Sequence, residues 1–333
     1  MDKKKTGIRC SIGGQGLLEG VMMKSPEALA IAVRKKDGSI AIQKDHFVPY
    51  SKRHKILGWP IIRGVAAFIE SLVVGTKTIT DGAKILEEEE RQSIPEAERK
   101  PESKAKQAMA IGISVLISLA IFVAVFIWLP NWVTDLLKPY FTTSHAAGTS
   151  ILLNLIDGVL RLIIFIGYML VVALLKDIKR VYMYHGAEHK VIHCFESGKE
   201  LTVENARSFK TLHPRCGTSY LFLVMVVAIL LFSLLGWSEN LLWRVGSRIL
   251  LLPIVAGLAY ELLRVAAKSN SIFMRIIRAP GMALQNLTTR KPEDDMIEVA
   301  IAAFNACAEM TKSLSDVEKD NKKEEIKGCE TGR

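Results

Sequence analysis

The chain has 333 residues, of which 50% are hydrophobic and 23% are charged, and its formal net charge is +10. A positive mean hydropathy alongside that many charges means that the apolar residues are clustered, which argues against an ordinary soluble protein and favours membrane segments. The five scattered cysteines argue against a disulfide framework, and no arginine-rich helix or aromatic-basic ribbon indicates nucleic-acid binding, so the positive charge is interpreted as membrane topology and contact with anionic lipid.

The first predicted unit, residues 1–86, is a small α+β unit in the cytosol. Its polar, glycine-rich beginning has no apolar core of the signal-peptide type, so we expect the N-terminus to stay in the cytosol. Residues 28–34 and 39–46 are predicted strands, and the Asp-Gly pair between them is typical of a β-hairpin. The glycine-rich run at 13–23 is interpreted as a tight turn packed on the rest of the unit.

Residues 56–83 are predicted to be helical and apolar on most faces. Arg63, Glu70 and Lys77 recur at every seventh position and form one polar stripe. This pattern indicates a helix that lies along the membrane surface or packs on the bundle, not a further span. Residues 87–107 are charged and lack aromatic side chains, which predicts a solvated linker or an exposed helix.

Residues 108–268 are predicted to form a mainly α-helical membrane domain. Four apolar segments in it are candidate transmembrane helices of roughly 20 residues, at 108–129, 151–175, 220–237 and 241–264. The last candidate is weaker, because charged residues lie in its ends. The connecting loops alternate in basic content: 130–150 holds one lysine, whereas the cytosolic loop 176–219 holds eight basic residues. The positive-inside rule then predicts four spans with both termini in the cytosol.

Charged residues inside these candidate spans are expected to pair locally. Asp157 and Arg161 are four residues apart, with the acid nearer the N-terminus, and Glu261 and Arg264 are three apart. After the spans, residues 269–313 are predicted to form a cytosolic helical region whose amphipathic helix begins near an acidic cluster that suits its positive dipole end. Residues 314–333 are predicted to be a disordered tail.

Histidines concentrate after the second candidate span. Four of the seven, His185, His189, His193 and His213, fall within 29 residues. On a helix, residues four apart lie on one face, so the first three would be aligned. Two such imidazoles can bind one Zn²⁺. Gly186 weakens the helix on which this geometry depends.

His185-Gly-Ala-Glu188-His189 also matches the inverted zinc-protease motif H-x-x-E-H. In that chemistry the histidines hold zinc and the glutamate acts as a base toward water. His213 and Cys216 form a His-x-x-Cys pair and are plausible further ligands, with His193 in reserve. We considered Glu204 as an oxygen ligand, and Glu19 as a ligand or base.

Three interpretations of this cluster remain open: a metal site, a structural polar network, or a contact with lipid headgroups or a partner. A metal shell of four protein ligands, His185, His189, His213 and Cys216, would be closed and structural, whereas catalysis needs an open position.

Four motifs together resemble the YqhQ-like bacterial membrane proteins. They lie at 13–23, 184–190, 213–218 and 280–289, and the similarity extends over nearly the whole chain except the acidic linker and the tail. That family is commonly labelled a predicted metal-dependent enzyme and otherwise a domain of unknown function. The resemblance implies a bacterial cytoplasmic membrane location and supplies no substrate.

The sequence thus predicts a multi-pass membrane protein with a cytosol-facing divalent-metal site of the Zn²⁺ type, and Glu188 as the catalytic base of a hydrolase acting on a peptide or a lipid-linked substrate at the membrane surface. The alternative is a non-enzymatic membrane scaffold or a factor in membrane-protein assembly or quality control, with a structural metal or a polar site. A transporter is disfavoured because charges lie near the span ends. Expected partners are the bilayer and other membrane proteins or further copies of the chain, with no nucleic acid.

Overall fold

The computed structural model describes residues 12–93, 104–141, 146–269 and 271–330. The first element in this part of the chain is an antiparallel sheet. Its four strands lie side by side in chain order: β1 (Gly13–Leu17), β2 (Gly20–Lys24), β3 (Ala28–Arg34) and β4 (Ile40–His46). The predicted hairpin at β3 and β4 is confirmed, with Arg34 opposite Ile40.

The glycine-rich run at 13–23 forms a second hairpin instead of a turn alone. Leu17 pairs with Gly20, so the turn consists of two residues, and Glu19 within it has a positive φ of 53°. A Cβ on Gly16 would lie 2.6 Å from the backbone nitrogen of His185, and one on Gly20 would lie 2.5 Å from the carbonyl oxygen of Ala32. The glycines are needed because backbones approach closely there, whereas the sequence alone indicates only a turn.

Most of the rest of the described chain is helical. In chain order the helices are α1 (Tyr50–Arg53), α2 (Ile62–Ser93), α3 (Lys104–Phe122), α4 (Leu129–Leu137), α5 (Ala146–Val172), α6 (Lys176–Glu196), α7 (Val203–Arg207), α8 (Gly217–Ser233), α9 (Leu241–Lys268), α10 (Ile272–Thr288) and α11 (Asp294–Glu330). A π-helical segment, Val123–Trp128, joins α3 to α4. The fold is therefore mainly α with a small sheet near the N-terminus, as predicted.

The sheet is packed on both faces. Val21 and Met23 lie in a core with Tyr184 of α6 and Phe304 of α11. On the opposite face Leu17, Ile31 and Val33 pack against side chains of α2. Residues 1–86 are therefore not a separate unit, because α6 and α11 complete the core of their sheet.

Two predicted boundaries differ from the structure. Helix α2 continues to Ser93, into the segment 87–107 for which an exposed helix was one of the two expectations, and residues 94–103 lie outside the described part. Helix α11 continues to Glu330, where we predicted a disordered tail from residue 314. The predicted cytosolic loop 176–219 contains the helices α6 and α7.

Three helical segments of the described chain are long and apolar enough to cross a membrane: Gly112–Tyr140, Gly148–Val172 and Leu241–Ala266. Helix α8, the third candidate in the sequence, is apolar but has only 17 residues. The weaker fourth candidate, 241–264, is one continuous helix, because α9 continues through its charged ends. These helices are compatible with a membrane protein.

Buried ion pairs connect the long helices. The predicted Asp157–Arg161 pair is confirmed at 2.9 Å, and Asp157 also accepts a hydrogen bond from Arg248 of α9 at 2.6 Å. The predicted pairing of Glu261 with Arg264 is wrong: Glu261 binds Arg63 of α2 through two contacts of 2.6 and 2.5 Å. Glu261 pairs with Arg63 instead of Arg264 because α2 packs directly against α9, which brings the guanidinium of Arg63 into bidentate contact with Glu261.

Candidate metal centre

Helix α6 carries the histidine face. It begins with Asp177 in its first turn, where an acid suits the helix dipole, and it ends before Gly198, whose φ is 73°. Gly186 does not break it. A Cβ there would overlap the carbonyl oxygen of Arg290 and lie 3.3 Å from Cγ2 of Thr211, so the glycine lets two other segments approach α6.

The first ligand group consists of His185, His189 and Cys216, whose ligand atoms all lie within 4.8 Å of one another. The Sγ atom of Cys216 is 3.3 Å from Nε2 of His185. Cys216 is the N-cap of α8, and its sulfur accepts a hydrogen bond from the backbone N–H of Thr218 at 3.4 Å. Two nitrogens and one sulfur are a set of donors that suits Zn²⁺ and leaves a fourth position open.

Backbone carbonyls orient both imidazoles of this group. Nδ1 of His185 donates to the carbonyl oxygen of Thr288 at 2.9 Å, and Nδ1 of His189 donates to the carbonyl oxygen of Thr211. A neutral imidazole that donates from Nδ1 keeps the lone pair on Nε2. Outer hydrogen bonds of this kind fix the tautomer of metal-binding histidines.

Glu188 lies beside this group and is buried. Its Oε1 atom accepts a hydrogen bond from the backbone N–H of Gly14 at 3.0 Å, and Oε2 is 3.8 Å from Nε2 of His185. Within the described residues, Oε2 is buried without a hydrogen-bond partner. Burial raises the pKa of Glu188 to about 7, against the opposing influence of His185 and of the hydrogen bond from Gly14. A buried, unpartnered carboxylate oxygen in such a place calls for a polar ligand.

A second ligand group consists of His193, Glu196 and His213, also within 4.8 Å of one another. Glu196 is held by Arg215 and is 3.6 Å from Nε2 of His213. Burial lowers the pKa of His213 to about 4 although Glu196 opposes the shift, so His213 is neutral at pH 7. Because Arg215 already neutralises Glu196, this group is satisfied as a polar network.

The structure thus divides the six predicted site residues. His185, His189 and Cys216 come together with Glu188 beside them, whereas His213 lies with His193. The two groups are adjacent, since the rings of His189 and His213 are 5.6 Å apart. A single closed shell of His185, His189, His213 and Cys216 is not the grouping found.

Sequence reasoning missed two residues. Glu196 follows His193 by three positions, so the helical spacing that aligned the histidines also placed this carboxylate on their face. Gln285 of α10 is fully buried, accepts from the backbone N–H of His213 at 2.8 Å and donates to its carbonyl oxygen at 2.8 Å. It fixes the segment that carries Cys216, and no local sequence pattern indicates that role.

The other acidic candidates lie elsewhere. Glu19 forms a bidentate pair with Arg180 and accepts a hydrogen bond from Tyr184 at 3.2 Å, so it joins the sheet to α6. Glu204 lies in the first turn of α7 and belongs to neither ligand group among the described residues.

A cavity of about 520 Å³ adjoins the first ligand group. His185 and Cys216 line it, and Gly14 and Gln15 of β1 contribute to its wall. The cavity also reaches the Lys24–Glu70 ion pair, whose atoms are 2.9 Å apart. Two of the three ligand residues, His185 and Cys216, therefore border a space large enough for a small organic molecule.

Comparison with known proteins places the chain in a family. The family described as "Protein of unknown function (DUF1385)" matches residues 59–310. The chain is also 33% identical over 298 residues to "Uncharacterized protein YqhQ" of Bacillus subtilis (strain 168), which covers 88% of this chain and 91% of that protein. No solved structure matches it. The chain belongs to the DUF1385 family.

Proposed function

We propose that this protein is a metal-dependent hydrolase that acts at the cytosolic surface of a bacterial membrane. The observation that carries the proposal is the group of His185, His189 and Cys216, whose ligand atoms lie within 4.8 Å of one another and two of whose members line a cavity. Structural zinc sites are closed by four protein ligands, whereas catalytic ones have three and an open position.

The residues present fit a Zn²⁺-type ion. Both histidines donate from Nδ1 to carbonyl oxygens, which leaves Nε2 available as a ligand. The unpartnered Oε2 of Glu188 supplies a base beside the group. An ion bound there would polarise a substrate carbonyl and make water more acidic.

Glu188 is the base in this proposal. Its Oε1 is held by the N–H of Gly14, so the carboxylate is oriented while Oε2 remains able to accept a proton from water. A pKa near 7 suits a group that must both take and return a proton at neutral pH. Gly14 and Gln15 of β1 form part of the wall of the same cavity.

We propose four spans, formed by Gly112–Tyr140, α5, α8 and α9, with both termini in the cytosol. The basic residues between α5 and α8 support this orientation by the positive-inside rule. Helix α8 is short for a span, but it packs against its neighbours α5 and α9. The apolar helices support a membrane location, and the relative from Bacillus subtilis supports a bacterial one.

Metal content of the detergent-purified protein tests the site. We expect about one Zn²⁺ (or Fe or Mn) per chain by plasma mass spectrometry, and its loss in a His185→Ala/His189→Ala variant. His46→Ala is the matched control, because that histidine is exposed on β4. If wild type reconstituted with Zn²⁺ under reducing conditions holds no ion, the proposal fails.

Glu188→Gln tests the chemistry separately. This variant should retain the ion and lose function in cells that depend on the protein. Wild-type function in Glu188→Gln would rule out the catalytic role while leaving the metal site intact.

A membrane scaffold is the second candidate, and one observation favours it. Glu188 binds β1 through Gly14, and Arg180 binds the turn after β1 through Glu19, so α6 already joins the sheet to the membrane helices. In a scaffold the ion would strengthen this junction. Full cellular function of Glu188→Gln, combined with loss of function in the double histidine variant, would select the scaffold.

A further inference from the structure

Helix α2 has two different faces. Ile69, Leu72, Val73 and Ile79 follow helical spacing on the outer face and are between 48% and 59% exposed. The inner face packs against the sheet and lines the cavity next to the proposed metal site. An exposed apolar stripe of this kind marks an interaction surface.

The beginning of α2 is fixed against a candidate span. A Cβ on Gly64 would lie 2.8 Å from Cα of Gly257 in α9, and Arg63 binds Glu261 at 2.5 Å. Gly257 lies nine residues (266 − 257) before the end of the apolar segment at Ala266, which is ~14 Å along a helix. The first turns of α2 are therefore level with apolar residues of α9.

The residues before α2 have the composition of a membrane interface. Ile56 and Trp59 are 59% and 60% exposed, and the basic residues Lys52, Arg53 and Lys55 are exposed beside them. Tryptophan is enriched at the level of the headgroups, and basic side chains attract anionic lipid.

Helix α10 repeats this pattern after α9. Its first turns expose Ile272, Phe273 and Ile276, each at 64% or more, with the exposed Arg275 among them. The two amphipathic helices thus flank the cytosolic end of α9. The bilayer is the occupant that fits both surfaces, because α10 follows α9 directly in the chain and α2 packs against α9.

We propose that the outer stripe of α2 lies at the boundary between headgroups and acyl chains, and that the cavity behind it takes an amphiphile from the bilayer. The polar part of that molecule would reach the His185–Cys216 end, while its apolar part stays in lipid beside α2. The amphiphile as a substrate rests on the proposed hydrolase function; the contact of α2 with lipid does not.

Photo-crosslinking in nanodiscs of phosphatidylglycerol and phosphatidylethanolamine tests this arrangement. Benzoylphenylalanine replaces Leu72 or Val73 on the stripe, Ser71 at the cavity wall, or Lys84 on an exposed position of the same helix as the control. Mass spectrometry of the intact chain should show lipid adducts for the variants at Leu72, Val73 and Ser71, and none for the variant at Lys84.

The possible results separate the parts of the proposal. Absence of lipid adducts at Leu72 and Val73, or equal labelling at Lys84, would overturn the membrane contact. Adducts at Leu72 and Val73 without any at Ser71 would overturn the amphiphile in the cavity. The measurement needs neither metal nor turnover, so a protein that binds no ion but shows the expected adducts would refute the hydrolase and leave the lipid surface standing.

Discussion

A single methyl group at Gly186 should disturb the metal centre without touching any ligand. The Cβ of Gly186→Ala would overlap the carbonyl oxygen of Arg290 and lie 3.2 Å from its carbonyl carbon, and 3.3 Å from Cγ2 of Thr211. Both neighbours belong to segments that orient the imidazoles: Thr211 accepts from His189, and Thr288, two residues before Arg290, accepts from His185.

The magnitude follows from the displacement. Non-bonded atoms are at their optimum near about 3.5 Å, so the segment of Arg290 must move by ~1 Å. Overpacking of this type costs about 1–3 kcal/mol, offset by the ~1 kcal/mol that alanine gains over glycine inside a helix. Loss of the outer hydrogen bonds to the histidines should weaken metal binding by roughly 10–100-fold.

Metal affinity and the thermal midpoint of detergent-purified protein are the assays. Gly167→Ala in α5 is the matched control, because a Cβ there meets nothing within 4 Å. We expect the control to resemble wild type, and Gly186→Ala to lose affinity much more than stability. If both variants bind Zn²⁺ as wild type does, the carbonyl contacts do not position the ligands.

Three other variants test separate parts of the structure. Burial raises the pKa of Glu188 from 4.5 to about 7, so between these pH values the folded, metal-free protein retains a proton that the unfolded chain has released. Relative to Glu188→Gln, the free energy of unfolding of the wild type should therefore fall by about 3 kcal/mol as the pH rises from 4.5 to 7. Thermal midpoints of the two proteins that run parallel across that range would contradict this. Asp157→Asn leaves the buried guanidinium of Arg248 and the half-buried one of Arg161 without their carboxylate, and it should cost about 3–5 kcal/mol, seen as a lower thermal midpoint. An unchanged midpoint would mean that water replaces the pair. Gly257→Ala places a Cβ 2.7 Å from the carbonyl oxygen of Ile61 and should destabilise the contact between α2 and α9 by about 1–3 kcal/mol, whereas Gly246→Ala, with nothing within 4 Å, should not; equal midpoints for the two would refute close packing there.

Elements with a local signal were predictable from the sequence. The hairpin of β3 and β4 has β-type runs on both sides of Asp37-Gly38, and the apolar helices have long hydrophobic stretches with few charges. The alignment of His185, His189 and His193 depends only on helical periodicity. In each case neighbours along the chain determine the structure.

Features that depend on distant contacts were not predictable. From the sequence alone, Gly186 is a residue that weakens the helix. Only the position of the Arg290 carbonyl shows why a side chain is excluded there. Glu261 paired with Arg63, about 200 residues away in sequence, instead of with its neighbour Arg264. Long-range packing overrode the local preference in both cases.

The separation of Cys216 and His213 into two ligand groups is also determined by contacts between distant parts of the chain. His213 and Cys216 are three residues apart, and their spacing suggested one ligand pair. Cys216 caps α8 and faces His185, whereas Gln285 holds the backbone of His213 so that its ring meets Glu196. Their separation depends on α10, which lies some 70 residues further along the chain.

X-ray absorption at the zinc edge of the purified, zinc-loaded protein tests the ligand set most directly. The His185, His189 and Cys216 group predicts one sulfur neighbour at about 2.3 Å and two imidazole nitrogens at about 2.0–2.1 Å. The sulfur contribution should disappear in Cys216→Ser. A wild-type spectrum with nitrogen and oxygen neighbours only, or one that Cys216→Ser leaves unchanged, would contradict the assignment of this site.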